Sequence, residues 1–416
     1  MSILIPSTLR TYGIVDANQK PSYFKRRSAE DAMVNERTNK DKSLIFIYPD
    51  YHCSFVYRNE LRKMGWKADI YVPHNYPKAL LYGSPDLVGP SFKSENLLNL
   101  IIYGVKTQIL YLKILRTYKY HFYHGNLEHF TIFEKGLMLD KLFGKSFRIN
   151  LLLAKMLGRK ILYLPSGAPD EEMPNVIAAL GNDEESVAVR DRAMMEIHFK
   201  TLKRYSDFNI GFGLLDSSQY RARHLKYKSI DLVEWRPDLE IPDQFLLPPT
   251  KKIRILHSFM FQKERRLEQG GCIKGTAYIE NAIKRLKSEG YEVEQISFDG
   301  VPTGDYKFYQ SQADIVVEEI IRGSWGSTAV ECMALGKPVV TYIRSDWEKR
   351  YYSLFPGTKP LPLVNANKWT IYQVLKELLD DTPNLNVIGG MSRDFAIKHL
   401  NPEINVREFV KAIEGL

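Results

Sequence analysis

The sequence predicts an α/β protein of two domains, each built on a largely parallel sheet with helices on both faces. Three observations lead there. At 416 residues the chain is longer than one typical core. Short apolar runs of strand length alternate with segments of helical periodicity, the signature of successive β-α-β units. Between Arg236 and Lys252 four prolines (Pro237, Pro242, Pro248 and Pro249) suppress regular structure, and the alternation starts afresh after them.

Residues 1–42 are mostly polar and charged, as in Lys25-Arg26-Arg27, and read as an N-terminal extension. The first domain, residues 43–240, opens with an apolar run at 44–48 that Pro49 stops. A helix follows, with Ser54 as its expected cap and Gly65 as its stop, and then a strand over 66–72. The most apolar segment, 97–115, is interrupted by Asn99, Lys106, Gln108 and Lys113. It therefore reads as a buried or amphipathic helix rather than a membrane span. Residues 120–124 form a strand running into a turn at Gly125, and 150–157 a helix closed by Gly158. Further strands are expected at 160–164, 208–212 and 230–235, and a linker at 241–252.

The second domain, 253–390, repeats the alternation. Strands are expected at 253–259, 291–298, 314–317 and 338–343, and helices at 276–289, 306–312, 328–335 and 370–379. Residues 391–416 read as a C-terminal helix that crosses back to the first domain. In open parallel sheets ligands bind outside the carboxyl ends of the strands. The informative turns are thus those after Phe259, Phe298 and Val317, faced by those after Tyr48, His124 and Leu164.

Composition narrows the class. A hydrophobic fraction of 44% with 26% charged residues suits an ordinary globular chain with a sizeable core. Cys53, Cys272 and Cys332 have neither disulfide-framework nor metal-site spacing, which favours a reducing compartment. The start, MSILIPSTLRTYG, lacks the charged and then apolar regions of a signal peptide. The location expected is cytoplasmic, including the inner face of a membrane. A net charge of +9 favours anionic partners such as phosphates or an acidic membrane surface, although scattered lysines also simply aid solubility. No basic run is long or aromatic-interleaved enough to make nucleic acid an expected partner.

The chemistry concentrates in residues 313–340, a strand, a loop with Gly323 and Gly326, and a helix from Thr328 ended by Gly336 and Pro338. Glycines let backbone approach a ligand, the free N–H groups of a helix start favour phosphate, and Ser327 and Thr328 add hydroxyls. Glu331, one turn in, can accept from a ribose or sugar hydroxyl. Thr328-Ala-Val-Glu331 also fits a capping box, which would give Glu331 a purely structural task. Both readings stand on local physics.

The stretch Glu331-Cys-Met-Ala-Leu-Gly-Lys-Pro-Val-Val340 resembles the C-terminal signature of retaining, GT-B-fold glycosyltransferases of the large family 4 type, E-x7-E-A-M-A-x-G-x-P-V-V. The resemblance implies two Rossmann-like domains facing across a cleft, with Glu331 on the nucleotide ribose. The signature's first glutamate would fall at Gly323, so donor-sugar recognition falls to other groups. Gly323-Ser-Trp-Gly326 is similar to a bacterial G-x-(W/Y)-G variant, with Ser324 and Trp325 beside the sugar; Trp325 is equally a core ring. Lys274-Gly275 matches the lysine that contacts the diphosphate, and Arg265 and Arg266 are candidates for its arginine partner. A lysine at a helix start opposes the helix dipole, which a bound anion would explain. His257 matches a frequent histidine of these relatives and reads equally as a satisfied histidine at a sheet edge. Phe298-Asp-Gly-Val-Pro302 matches the turn beside the nucleobase, with Val301 and Pro302 against it.

In the first domain, His124-Gly125 and Ser166-Gly167 follow strands and would face the cleft, with His124 near donor sugar or acceptor. Asp170, Glu171 and Glu172 read as a solvated acidic turn. What the resemblance implies is transfer of a sugar from a nucleotide-diphosphate sugar to a glycan, polysaccharide or glycolipid, with retention at the anomeric carbon. No cofactor is expected, and no Asp-x-Asp motif calls for a metal. Tyrosine-rich and basic patches in the first half would suit peripheral association with a membrane. A nucleotide-sugar epimerase, a phosphorylase or a non-catalytic binder of the same fold are the alternatives; the oligomeric state is left open.

Overall fold

The computed structural model describes residues 41–49, 51–76, 81–91, 97–125, 127, 130, 146–165, 192–210, 221–257, 274–298, 301–321 and 323–416. The first sheet is built from β1 (Ser43–Ile47), β2 (Lys67–Val72), β3 (Leu87–Val88), β4 (Tyr120–His124), β5 (Lys160–Leu164), β6 (Phe208–Ile210) and β7 (Ala222–Arg223). Among the described residues these run in the order β3-β2-β1-β4-β5-β6-β7, each pair parallel. β1 is central and buried along its whole length, as its unbroken Leu-Ile-Phe-Ile requires.

Alternate residues of each strand feed two cores. Leu44, Phe46, Tyr120 and Phe122 pack under α1 (Tyr51–Lys63). Ile45, Ile47 and Tyr123 pack under α2 (Leu97–Thr117), α3 (Ile149–Met156) and α4 (Arg192–Tyr205). Gly65 ends α1 at φ +78°, a left-handed turn natural to glycine. The helix starts at Tyr51, so Ser54 is not its cap but a buried interior residue. Nor is 230–235 a strand. Asp231 Oδ1 accepts from the N–H groups of Val233 and Glu234 and its carbonyl from Trp235, which closes a turn in place of a ladder.

The second sheet contains β8 (Ile253–Leu256), β9 (Val293–Ile296), β10 (Ile315–Val317), β11 (Val339–Thr341) and β12 (Val364–Asn365) in the order β12-β11-β10-β8-β9, again parallel. On one face lie α5 (Thr276–Ser288) and α9 (Ile371–Asp380). On the other lie α6 (Thr303–Gln310), α7 (Ser327–Ala334), α8 (Ser345–Leu354) and α10 (Pro383–His399). A short 3-10 turn, Asp243–Phe245, interrupts the proline-rich connection, and Ile230 and Trp235 are buried in the second domain's core. Arg393 fastens this join by donating to the carbonyls of Leu232, Trp235 and Ala334. The last helix, α11 (Pro402–Glu414), places Val406, Phe409 and Ile413 in the first domain's core beside Tyr57 and Tyr227. No helix among the described residues is long and apolar enough to cross a membrane.

Candidate active site

Each sheet has a switch point, where connections leave in opposite directions and open a crevice at the strands' carboxyl ends. In the second sheet it lies between β8 and β10. His257 bridges it: Nδ1 lies 2.9 Å from the Val317 carbonyl and Nε2 3.0 Å from Thr276 Oγ1. The ring is fully buried. In this arrangement His257 ties two strand ends to the start of α5, the satisfied histidine that the sequence also allowed.

Beyond β10 come Glu318 and Glu319, both buried, and then the loop into α7. Glu319 Oε1 accepts from Gly323 N–H at 3.1 Å, and Glu318 Oε2 from Gly326 N–H at 3.0 Å. Lys274 Nζ lies 3.6 Å from Glu318 Oε1. The lysine and the Gly326 amide therefore converge on one carboxylate, which holds the position expected for an anionic ligand. The glycines answer to the same packing. A Cβ at Gly326 would stand 2.4 Å from Glu318 Oε1, at Gly323 2.1 Å from Arg344 Cγ, and at Gly275 2.4 Å from Ile320 Cγ1. It is protein side chains that come close at these three positions.

α7 begins at Ser327 with Gly326 as its N-cap and no side-chain cap hydrogen bond, so the Thr328–Glu331 capping box is not formed. Ser324, Ser327 and Thr328 are half-buried along the loop and first turn. Trp325 takes the core position that the sequence allowed equally with a place beside the sugar. Its ring stacks on Tyr351 with centroids 3.8 Å apart and planes 7° apart, and it lies in the hydrophobic core. Phe355 and Phe395 flank the indole at 5.8 and 5.9 Å between centroids.

Glu331 is the centre of a cross-domain cluster and is 3% exposed. Tyr82 of the first domain donates to its Oε1 at 2.6 Å, and Gln310 Nε2 of α6 to its Oε2 at 2.6 Å. His52 Nδ1, from α1, lies 3.4 Å from Oε1. Burial alone disfavours the imidazolium, but the Cys53 sulfur and the Glu331 carboxylate outweigh it and raise His52 to about 10. Burial and then Glu331 push the Tyr82 phenol well above its ordinary value, so it stays a donor. Trp235 closes the group, 6.1 Å from the His52 ring and 6.0 Å from Tyr82 between centroids. His52 Nε2, Trp235 Nε1 and Gln310 Oε1 are buried with no hydrogen-bond partner among the described residues. Buried polar atoms are ordinarily satisfied, and three unpartnered ones gather in this cross-domain group.

The remaining expected residues lie at the rim. Val301 packs on the second core, and exposed Pro302 precedes α6, whose Thr303 hydroxyl donates to Leu81 O at 3.2 Å. His124 is half-buried at the carboxyl end of β4, between β1 and β5 in the sheet. Arg265, Arg266, Ser166, Gly167, Asp170, Glu171, Glu172, Asp299, Gly300 and Cys272 lie outside the described residues.

Sequence reasoning missed His52, Tyr82, Gln310, Glu318 and Glu319. The two glutamates and His52 follow β10 and β1, where ligand-facing residues belong, so strand position was a usable signal. Tyr82 carried none, because its partner is 249 residues away.

No protein-family profile and no curated protein sequence matches the chain. Solved structures do. Sucrose-phosphate synthase from Thermosynechococcus elongatus aligns with a TM-score of 0.58 at 12% identity, over 90% of this chain and 98% of that one. A glycosyltransferase from Rickettsia africae aligns at 0.50 and 10% identity, over 90% and 98%. The chain has the GT-B fold: two Rossmann-like parallel sheets with a cleft at their carboxyl edges.

Proposed function

We propose that the chain transfers a glycosyl group from a nucleotide-diphosphate sugar, held by the second domain, to a hydroxyl of a glycan, polysaccharide or glycolipid. The observation that carries this reading is Glu331, a buried carboxylate at the domain junction surrounded by orphaned polar atoms. A ribose supplies the vicinal hydroxyls such a group takes. Tyr82 and His52 come from the first domain, so donor entry exchanges their contacts for the ligand's as the cleft opens. Lys274, the amides at 326–328 and the Arg265/Arg266 cations would stabilise the diphosphate without a metal. In the reaction the bond from the anomeric carbon to the β-phosphate oxygen breaks and the acceptor oxygen bonds that carbon. The acceptor's proton leaves to the departing diphosphate. Attack from the leaving-group face gives retention.

Thermal shift with UDP, GDP, ADP, CMP and TDP and their sugars tests the donor site, on wild type, Lys274→Ala and Glu331→Ala. A ligand that binds only the folded chain raises its melting temperature by mass action. One base should stabilise the wild type and neither variant. Variants that respond like wild type, or a wild type that no nucleotide shifts, would overturn the assignment. A second reading, a non-catalytic binder of the same ligands, draws on Glu318 already filling the anion position and on Gly323 replacing the signature's glutamate. A labelled donor that binds without yielding free nucleotide or transferred sugar would select it.

A further inference from the structure

α2 turns a continuous apolar stripe to the surface. Leu98, Ile101, Ile102, Val105, Ile109 and Leu112 are 41–66% exposed and recur at intervals of three and four, so they share one helix face. The opposite face, with Tyr111, Ile114 and Leu115, is packed in the core, so the helix needs no outer stripe for its own folding. α3 lies alongside: the Tyr111 hydroxyl donates to Asn150 O, and Leu151 and Ala154 share the same core. Its end adds Met156 and Leu157, 74% and 53% exposed.

On these two helices the charge has one sign. Neither α2 nor α3 contains an Asp or Glu, and α2 exposes Lys106, Lys113 and Arg116 beside or in line with the stripe. Aliphatic side chains flanked by cations match the boundary between anionic headgroups and acyl chains. A second copy of the chain fits less well. A two-fold contact through this stripe would bring the same cations face to face. The surface also lies on the side of the first sheet opposite α1 and α11, away from Glu331.

From this combination we infer that α2 and the end of α3 dock the protein on an anionic lipid bilayer, α2 lying in the interface. The proposal is independent of the glycosyl-transfer reading. It fits a helix apolar on one outer stripe, in a chain whose described helices include none long and apolar enough to cross a membrane.

The full chain is sedimented with phosphatidylcholine vesicles, with and without phosphatidylglycerol, at low and high salt. Wild type should bind the anionic vesicles and release at high salt. Ile101→Glu with Ile109→Glu should weaken binding by roughly tenfold or more, since charges replace inserted aliphatics. Lys106→Gln with Lys113→Gln should weaken it by roughly 25-fold, about fivefold for each cation at an anionic surface. All these positions are exposed, so both variants should keep the wild-type melting temperature. Wild type that ignores anionic vesicles, or variants that bind like it, would overturn the inference. So would a wild-type dimer by light scattering that Ile101→Glu with Ile109→Glu makes monomeric, which would assign the face to a second copy.

Discussion

Replacing Gly275 by alanine separates two reasons for a glycine at the start of α5. Its φ of +78° is left-handed, where a side chain costs on the order of 1–2 kcal/mol. A Cβ there would also stand 2.4 Å from Ile320 Cγ1 and 3.1 Å from Ile321 Cγ1. Both isoleucines are buried, so neither can swing aside, and overpacking adds ~1–3 kcal/mol. Gly65 supplies the reference. It has the same φ of +78° and nothing within 4 Å of the added carbon. Gly65→Ala should therefore cost only the backbone part, ~1–2 kcal/mol, and Gly275→Ala ~2–5 kcal/mol. The difference corresponds to ~2–12 °C in melting temperature for domains of this size. Urea and thermal denaturation of both variants beside wild type measure it. Equal losses would refute the packing account and return the glycine to close approach of a ligand.

Tyr82→Phe removes a hydroxyl that donates to a buried carboxylate, and should destabilise the chain by ~1.5–3 kcal/mol; an unchanged melting temperature would contradict the cross-domain contact. His52 has a raised folded-state pKa, so its contribution is fully present below its ordinary value near 6.5 and lost as pH rises through about 10. The stability difference between wild type and His52→Gln should thus shrink from pH 7 to pH 10, and a pH-independent difference in urea titrations would sink the ion pair. His121 is held down to about 4 chiefly by burial. Its contribution is present above pH 6.5 and lost as pH falls toward 4, on the order of 3 kcal/mol. His121→Asn should flatten that acid limb of the stability profile; a limb of unchanged steepness would show that other groups drive it.

Much of the architecture was legible because it rests on local rules. Leu44–Ile47 must be buried on both faces, Gly65 and Gly158 must turn the chain, and alternation of period 2 and period 3.6 dictates parallel β-α units. The motif at 331–340 and Lys274-Gly275 likewise drew attention to the helix starts that flank the switch point. Short edge elements escaped notice, among them β3, β7 and β12, each only two residues long, because so few residues carry no period.

The sequence by itself determined the longer strands and helices, such as β1, β4, β5, α1, α2 and α5, because their periodicity is local. Tertiary structure alone decided what their side chains touch. Trp325 became a core ring because Tyr351, 26 residues on, stacks against it, and His257 a tie between strands because Val317 and Thr276 meet it. Glu331 acquired Tyr82 and His52 from the other domain. Propensity and periodicity act over a few residues, whereas desolvation and hydrogen bonding act between whatever groups folding brings together. The partners of a buried carboxylate therefore cannot be read from its neighbours along the chain.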